Sequence, residues 1–183
     1  MSNVKKVSRL LSLVLRHKPE KIGIELDGEG WVDICTLLTQ LEKHNREITF
    51  LELVNIVETN DKQRFTFNEQ MSKIRANQGH SGRLGIDLGL KASRPPKKLF
   101  HGTVQKAIQG VKEGGLDKMS RHALHLSEDV PTAINVGSRR GDAIILEIDS
   151  GAMHADGFKF YQSKNGVWLI DNVPPKYIKF KDY

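Results

Sequence analysis

The apolar pattern at the start of the chain predicts a helix. Residues 4–17 carry apolar side chains at helical spacing, namely Val4, Val7, Leu11, Val14 and Leu15. Arg9, Ser12 and Arg16 share a neighbouring stripe, so they are expected on one polar face. Pro19 cannot continue a helix and predicts its end.

Two further helices are marked by their capping residues. Asp33 is a suitable N-cap for a helix running to about Leu41. Thr49 and Glu52 stand three residues apart in the capping-box pattern, ahead of a helix predicted over residues 50–57.

Short extended segments lie between these helices. Ile22–Leu26 is predicted to be extended, and Asp27-Gly28 marks a turn before Trp31-Val32. A strand is predicted over Arg64–Phe67. Helices with short strands at their edge predict a winged-helix-like lobe over residues 1–81.

The periodicity is lost over residues 82–98, where three glycines precede the run Ser93 to Lys98 with its two prolines. This composition predicts a linker. Residues 99–183 then alternate short strands with helices. Thr103 is expected to cap a helix through about Glu113, and Ser127 another through about Val136. The predicted strands begin at Leu99-Phe100 and continue with Ala123–Leu126, Ala143–Ile148, Phe158–Tyr161 and Val167–Ile170, the last two forming a hairpin. The expected fold class is α+β.

Composition narrows the class of protein. With 38% hydrophobic and 27% charged residues, the chain has the balance of a globular domain, and its apolar runs are too short for a membrane span. One cysteine, Cys35, permits no internal disulfide, and no Cys/His pair has zinc spacing, so no metal is expected. A cytoplasmic location without an obligatory protein partner is the expectation.

Net charge adds a weak indication of partner. The total is +6; residues 1–90 carry 13 basic and 12 acidic side chains, whereas residues 91–183 carry 15 and 10. A basic surplus suits a phosphate-rich partner but equally suits an ordinary solvated surface.

Four short segments concentrate polar side chains suited to phosphate chemistry: Leu15 to His17, Ile74 to Ser81, Leu99 to Thr103 and Arg121 to Ser127. Each has a plain structural alternative. Arg16 and His17 would complement the negative end of a helix, Arg75 and Arg121 could be solvated, and His125 could lie in a core. Together they indicate more, because arginine keeps its charge and its planar fork matches phosphate oxygens. A nearby histidine can donate a hydrogen bond or a proton.

The same segments carry a family resemblance. Ser8 to His17, Thr59 to Phe65, Arg75 to Ser81, His101-Gly102-Thr103, Arg121 to Ser127 and Asn165 to Leu169 resemble, in order, the signature of the NAD-dependent RNA 2′-phosphotransferases. Two positions depart from the usual pattern: Arg9 replaces a lysine, and Leu124 replaces a valine. The resemblance implies an N-terminal RNA-binding lobe and a C-terminal lobe of the ADP-ribosyltransferase type that holds NAD.

The resemblance also implies roles for individual residues. The family's catalytic set maps onto Arg16, His17, Arg75 and Arg121. Its cofactor site maps onto His101 and His125, and Gly102, Thr103 and Ser127 are expected beside them. Arg9, Ser12, Gln78 and His80 are expected to contact RNA. Residues 165–169 lack the glutamate of protein-modifying relatives, as this branch requires.

Two chemical steps are implied. An oxygen of an internal RNA 2′-phosphate attacks the ribose carbon of NAD that carries nicotinamide. The neighbouring hydroxyl then attacks phosphorus, giving RNA with a 2′-hydroxyl and ADP-ribose 1″,2″-cyclic phosphate. The substrate is therefore expected to be a tRNA-like RNA bearing a 2′-phosphate. The three arginines would clamp that phosphate, and His17 would donate a proton.

Two other functions remain compatible with parts of the sequence. A transferase moving ADP-ribose to a protein or to a nucleic-acid end phosphate would share His101 but would not need all four catalytic positions. A non-enzymatic RNA-binding module would need a strongly basic first lobe, yet that lobe carries only +1.

Overall fold

The chain forms two compact units, Met1–Gly89 and Leu90–Tyr183, in the structure, a computed structural model. It describes the backbone of residues 3–180 and the side chains of residues 5–180, so the predicted apolar contact of Val4 lies outside the described side chains. Each unit combines short helices with small antiparallel sheets, which confirms the α+β class. The unit boundary falls inside the region predicted as a linker.

Three helices and a three-stranded sheet make up the first unit. Its elements are α1 (Asn3–Val14), a 3₁₀ helix (Pro19–Ile22), β1 (Val32–Asp33), α2 (Ile34–Lys43), α3 (Phe50–Glu58), β2 (Phe65–Phe67) and β3 (Lys73–Ala76). The strand order is β1-β3-β2, so β3 is central. Apolar faces of α1, α2 and α3 pack on Ile74 and Ala76 of β3 in one buried cluster.

The N-terminal helix is shorter than predicted. It ends at Val14 instead of about residue 17, because the residue before Pro19 is sterically kept out of the helical region. The chain therefore unwinds over residues 15–18, where the Lys18 amide reaches back to the Leu13 carbonyl. The extended segment predicted from Ile22 was also wrong at its start, since Ile22 closes a 3₁₀ turn and Gly23 adopts a positive φ of 68°.

The predicted capping residues of the first unit are confirmed. Asp33 Oδ1 accepts a hydrogen bond from the Thr36 amide at 2.8 Å. Thr49 and Glu52 form the complete capping box of α3. The strand predicted near Arg64 is observed as β2, but β3, which carries Arg75, was not predicted.

The second unit contains more and shorter elements. They are β4 (Ala92–Ser93), β5 (Leu99–Val104), α4 (Ile108–Gly114), β6 (Leu116–Asp117), β7 (Leu124–Leu126), α5 (Val130–Gly137), β8 (Ala143–Ile148), α6 (Ser150–Ala155), β9 (Phe160–Gln162), β10 (Trp168–Ile170), β11 (Asn172–Val173) and β12 (Ile178–Phe180). One sheet has the order β12-β8-β5, and another has the order β4-β9-β10-β7. The predicted hairpin is confirmed as β9 and β10, with Trp168 opposite Gln162.

Two predicted helix starts in the second unit were wrong. Thr103 lies within β5, paired with Ile144 of β8, and the following α-helix begins only at Ile108. Ser127 does not cap α5; Asp129 does, by accepting from the Thr132 amide at 2.7 Å. In both cases strand pairing, which spacing along the sequence does not show, claims the residue first.

The region predicted as a linker has regular structure on either side of the unit boundary. Gly82–Leu84 forms a 3₁₀ turn in the first unit, and Ala92-Ser93 pairs with β9 in the second. Within the described residues 3–180, no helix is long and apolar enough to cross a membrane.

The capping box supplies a stability prediction. Replacing Thr49 by alanine removes the acceptor for the Glu52 amide, and we expect the free energy of unfolding to fall by about 1 kcal/mol. Urea unfolding followed by circular dichroism measures the change. Thr39→Ala, at an exposed position within α2, is the matched control and should not destabilise. Equal midpoints for Thr49→Ala and the wild type would contradict the capping role.

Candidate functional site

Arg16 and His17 lie in the turn that follows α1. The His17 ring is held through Nδ1, 2.8 Å from Ser81 Oγ, and the Ser81 amide donates to the Arg16 carbonyl at 2.8 Å. Arg83 donates to the His17 carbonyl and pairs with Glu20 at 2.9 Å. The turn is thus attached at several points to segment 79–83, so both side chains have fixed origins.

The Arg16 guanidinium lies beside Gly79. A β-carbon built on Gly79 would stand 3.5 Å from Arg16 Nη1, and the positive φ of 88° at Gly79 disfavours other residues. Arg16 Nη2 also donates to the Arg64 carbonyl, at 3.4 Å. Gly79 therefore leaves room for the guanidinium, and Arg64 directs it through the backbone.

Arg75 projects from the central strand of the first sheet. Its neighbours Ile74 and Ala76 are completely buried, so strand alternation turns Arg75 to the opposite face. Its guanidinium carbon lies 4.4 Å from the ring centroid of Trp31. Nη1 donates to the Glu29 carbonyl at 3.2 Å and lies 3.8 Å from the Glu29 carboxylate. Burial lowers the pKa of Arg75, and Glu29 and Asp27 oppose that shift.

The four predicted RNA contacts differ in accessibility. Arg9 is exposed on α1, and Ser12 and Gln78 are half-buried. His80 is completely buried, with its ring 3.2 Å from where a β-carbon on Gly30 would lie. Its side chain has no exposed surface for RNA in this structure, so a packing role replaces the predicted contact. Arg9, Ser12 and Gln78 remain predicted contacts.

His101 lies on β5 in the second unit, with a defined ring orientation. Nδ1 is 3.0 Å from the His125 carbonyl oxygen. Because a carbonyl can only accept, Nδ1 carries the proton. Desolvation lowers the pKa of His101, the His125 carbonyl opposes this, and Arg121 and Arg140 lower it further. The ring is therefore held neutral, with Nε2 as a hydrogen-bond acceptor.

Arg121 belongs to a group of arginines in the same unit. Although its side chain is exposed, partial desolvation lowers its pKa, and the charges of Arg140 and Arg139 lower it further. Three guanidinium groups that repel one another form a region where an anion would be stabilised. Arg139 and Arg140 were not predicted as site residues, although two adjacent arginines before Gly141 were a visible signal.

Gly102 and Ser127 fix the surroundings of His101. A β-carbon on Gly102 would overlap the Ala133 carbonyl oxygen and stand 2.9 Å from the Gly137 nitrogen, so only glycine permits β5 to lie so close to α5. Ser127 exchanges two backbone hydrogen bonds of 2.8 Å with Phe100, which joins β5 to the end of β7. Thr103 is half-buried, two residues beyond His101.

The structure thus brings together some of the predicted residues. In the first unit Arg16 and His17 share the 79–83 segment, and in the second Arg121 is close enough to His101 to affect its titration. The joint action of all four catalytic positions stays a prediction. Among residues whose side chains are described, no group of three His, Cys, Asp or Glu side chains could hold a metal.

Charged arginines beside oriented histidines are typical of proteins that act on phosphate groups. Comparison with known proteins specifies the class. The model of the "RNA 2′-phosphotransferase, Tpt1 / KptA family" matches residues 2–172. Proteins named "Probable RNA 2′-phosphotransferase" are similar over nearly the whole chain. The one from Flavobacterium johnsoniae is 52% identical over 177 residues, covering 97% of this chain and 96% of its own. That from Fusobacterium nucleatum is 49% identical over 181 residues, covering 98% and 100%. The chain belongs to this family of enzymes.

The neutral state of His101 can be tested by titration. We expect its pKa to lie below the ordinary value of 6.5, and Arg140→Gln to raise it by removing a positive charge. Imidazole NMR signals followed against pH give both values, with His101→Gln assigning the resonance. Arg46→Gln, an exposed substitution in the first unit, is the control. A His101 pKa at or above 6.5 would contradict this description of the ring.

Proposed function

We propose that the protein removes an internal 2′-phosphate from RNA and transfers it to NAD. The products are RNA with a 2′-hydroxyl, ADP-ribose 1″,2″-cyclic phosphate and nicotinamide. The observation that carries the proposal is the presence of Arg16, His17, Arg75 and Arg121 in a chain that matches the RNA 2′-phosphotransferase family over residues 2–172. The natural substrate would be a tRNA-like RNA.

The proposed role of the arginines is to bind the phosphate and balance its charge. Arg16 and Arg75 are each anchored through a backbone carbonyl, which uses one donor and leaves the positive charge in place. Arg121 takes the same role in the second unit. Pre-oriented cations stabilise charge that builds up during phosphoryl transfer without reorganising at that moment.

His17 is proposed to donate a proton to the RNA 2′-oxygen as it leaves phosphorus. Ser81 engages Nδ1, so we assign the donation to Nε2. No separate general base is proposed for the nucleophile, because the 2′-phosphate is already anionic.

The second unit offers groups that fit NAD. Neutral His101, with Nε2 as acceptor, suits a ribose hydroxyl, and the arginines around Arg121 suit a pyrophosphate. Gly102, Thr103, His125 and Ser127 are proposed to line the same site. When bound, NAD would supply a ribose carbon with a good leaving group and an adjacent hydroxyl. The chain's residues would orient that ribose and exclude water.

The two units are proposed to divide the work. Residues 1–81 would form a winged-helix-like lobe that holds RNA, with Arg9, Ser12 and Gln78 as contacts. Residues 99–183 would form an ADP-ribosyltransferase-like lobe that holds NAD, with residues 82–98 connecting them. The three-stranded sheet beside α1, α2 and α3 supports the first assignment. The single cysteine supports a cytoplasmic location.

The direct test is incubation with NAD and a short RNA bearing one internal 2′-phosphate. We expect loss of the phosphate from RNA together with formation of the cyclic product, both dependent on NAD. Chromatography of 5′-labelled RNA and mass spectrometry of the nucleotide products measure them. Stable ADP-ribosylation of a protein or an RNA end, with no cyclic phosphate, would support the alternative transferase. RNA binding without NAD consumption would indicate a non-enzymatic module.

Substitution of the arginines tests the phosphate role. Arg75→Ala and Arg121→Ala should each lower the rate a hundredfold or more, since losing one charge-assisted contact in a transition state costs about 3 kcal/mol. Single-turnover rates measure the effect, and thermal unfolding shows whether each variant folds. Arg46→Ala, an exposed arginine that bonds only its neighbour's carbonyl in the described structure, is the control. Near wild-type rates for both variants would exclude a phosphate clamp.

His101→Ala tests the NAD role separately. We expect a raised KM for NAD of about tenfold or more, because the variant loses the acceptor for a ribose hydroxyl. The KM for RNA should change little. Initial rates measured across NAD and RNA concentrations separate the two constants, and an unchanged KM for NAD would count against the assignment.

A further inference from the structure

The turn before β1 is fixed in a way that determines what faces Arg75. Asp27 Oδ1 accepts hydrogen bonds from the amides of Glu29, at 3.1 Å, and Trp31, at 2.9 Å. Gly30 closes the turn with a φ of 83°, and Lys73 pairs with the other Asp27 oxygen at 3.3 Å. The positions of Glu29 and Trp31 are therefore set by one carboxylate that the proposed reaction does not use.

Strand register places Trp31 beside Arg75. Val32 pairs with Ile74 and Asp33 with Lys73, so the residue before Val32 is opposite the residue after Ile74. Residues directly opposite one another project on the same face of a sheet. Trp31 and Arg75 are consequently cross-strand neighbours, which agrees with the 4.4 Å separation of guanidinium and indole.

Glu29 links the two side chains. Its carboxylate accepts from Trp31 Nε1 at 3.2 Å and lies 3.8 Å from Arg75 Nη1. The Glu29 side chain is 64% exposed, whereas that of Arg75 is 17% exposed. An ion pair this long and this exposed to water is weak. The half-buried stack on Trp31 is the stronger restraint on the guanidinium.

These contacts occupy only part of the guanidinium. Nη1 bonds the Glu29 backbone, and the ring face covers one side. Among residues 5–180, none accepts a hydrogen bond from Arg75 Nε, although that atom is buried. Nε and Nη2 form the edge that can make two parallel bonds to an oxyanion. A buried donor with nothing to bond indicates an absent acceptor.

We propose that Trp31 is a positioning residue that holds Arg75 for the RNA 2′-phosphate, and that Glu29 is a temporary counter-ion which this phosphate replaces. The inference rests on the proposed function and extends it to two residues outside the catalytic set. Trp31 presents the guanidinium edge in one orientation, and Glu29 balances its charge until substrate arrives. The backbone carbonyl of Glu29 stays in place during the exchange.

Equilibrium binding in the absence of NAD separates this role from catalysis. Two RNAs of the same sequence, one with an internal 2′-phosphate and one with a 2′-hydroxyl, are titrated against the full chain. Trp31→Leu should weaken binding of the phosphorylated RNA by about tenfold and leave the other RNA within about twofold. Trp31→Phe, which keeps an aromatic face, should recover most of the loss. Equal weakening for both RNAs, or none in either variant, would overturn the proposal.

The counter-ion role has its own matched control. Glu29→Gln should tighten binding of the phosphorylated RNA by about two- to fivefold, because the phosphate no longer competes with a carboxylate. Glu25→Gln makes the same change in net charge at an exposed position nearby. If the two variants bind alike, Glu29 is not a specific competitor and that part of the proposal is wrong.

A double-mutant cycle shows whether Trp31 acts through Arg75. With Arg75 replaced by alanine, Trp31→Leu should lower binding and rate by less than about twofold further. The KM for NAD should not change in Trp31→Leu. Independent, multiplicative effects would mean that Trp31 does not position Arg75. Wild-type enzyme that fails to release the 2′-phosphate would instead disprove the proposed function, while preferential binding of phosphorylated RNA would still be measured independently.

Discussion

The first unit depends on the alternation of side chains along its central strand. Ile74 and Ala76 enter the apolar core, so Arg75 must project from the other face, and pairing with β1 sets Trp31 against it. A charge is thereby held at the surface of a well-packed core without being buried in it. Arg16 follows the same principle by another route, since the turn after α1 is tied to segment 79–83. In both cases backbone geometry decides where a cation points.

The second unit applies a comparable constraint to a histidine. Pairing of β5 with β8 and the close approach of Gly102 to α5 fix the backbone at His101. The His125 carbonyl then selects the tautomer, and nearby arginines oppose protonation. The same arginines repel one another, so they lower each other's affinity for protons and raise their affinity for an anion. One arrangement of charge therefore keeps the imidazole neutral and attracts a phosphate-bearing ligand.

Much of this could be predicted from local sequence. The caps of α2 and α3 were correct because a side chain bonding a nearby amide needs only neighbours in the chain. The hairpin of β9 and β10 was correct for a similar reason. Thr103 and Ser127 were misassigned as caps because distant strands pair with those residues or their neighbours. His80 was predicted at the surface, but its packing against Gly30 depends on a segment fifty residues away.

The sequence by itself determined the family, the α+β class and the identity of the candidate arginines and histidines, since these depend on residue types in a fixed order. Only the tertiary structure decided how those side chains are held: Arg75 on Trp31, His17 on Ser81 and His101 on the His125 carbonyl. The reason is physical. Orientation and titration depend on partners brought close by strand register and burial, and neither can be read from spacing along the chain.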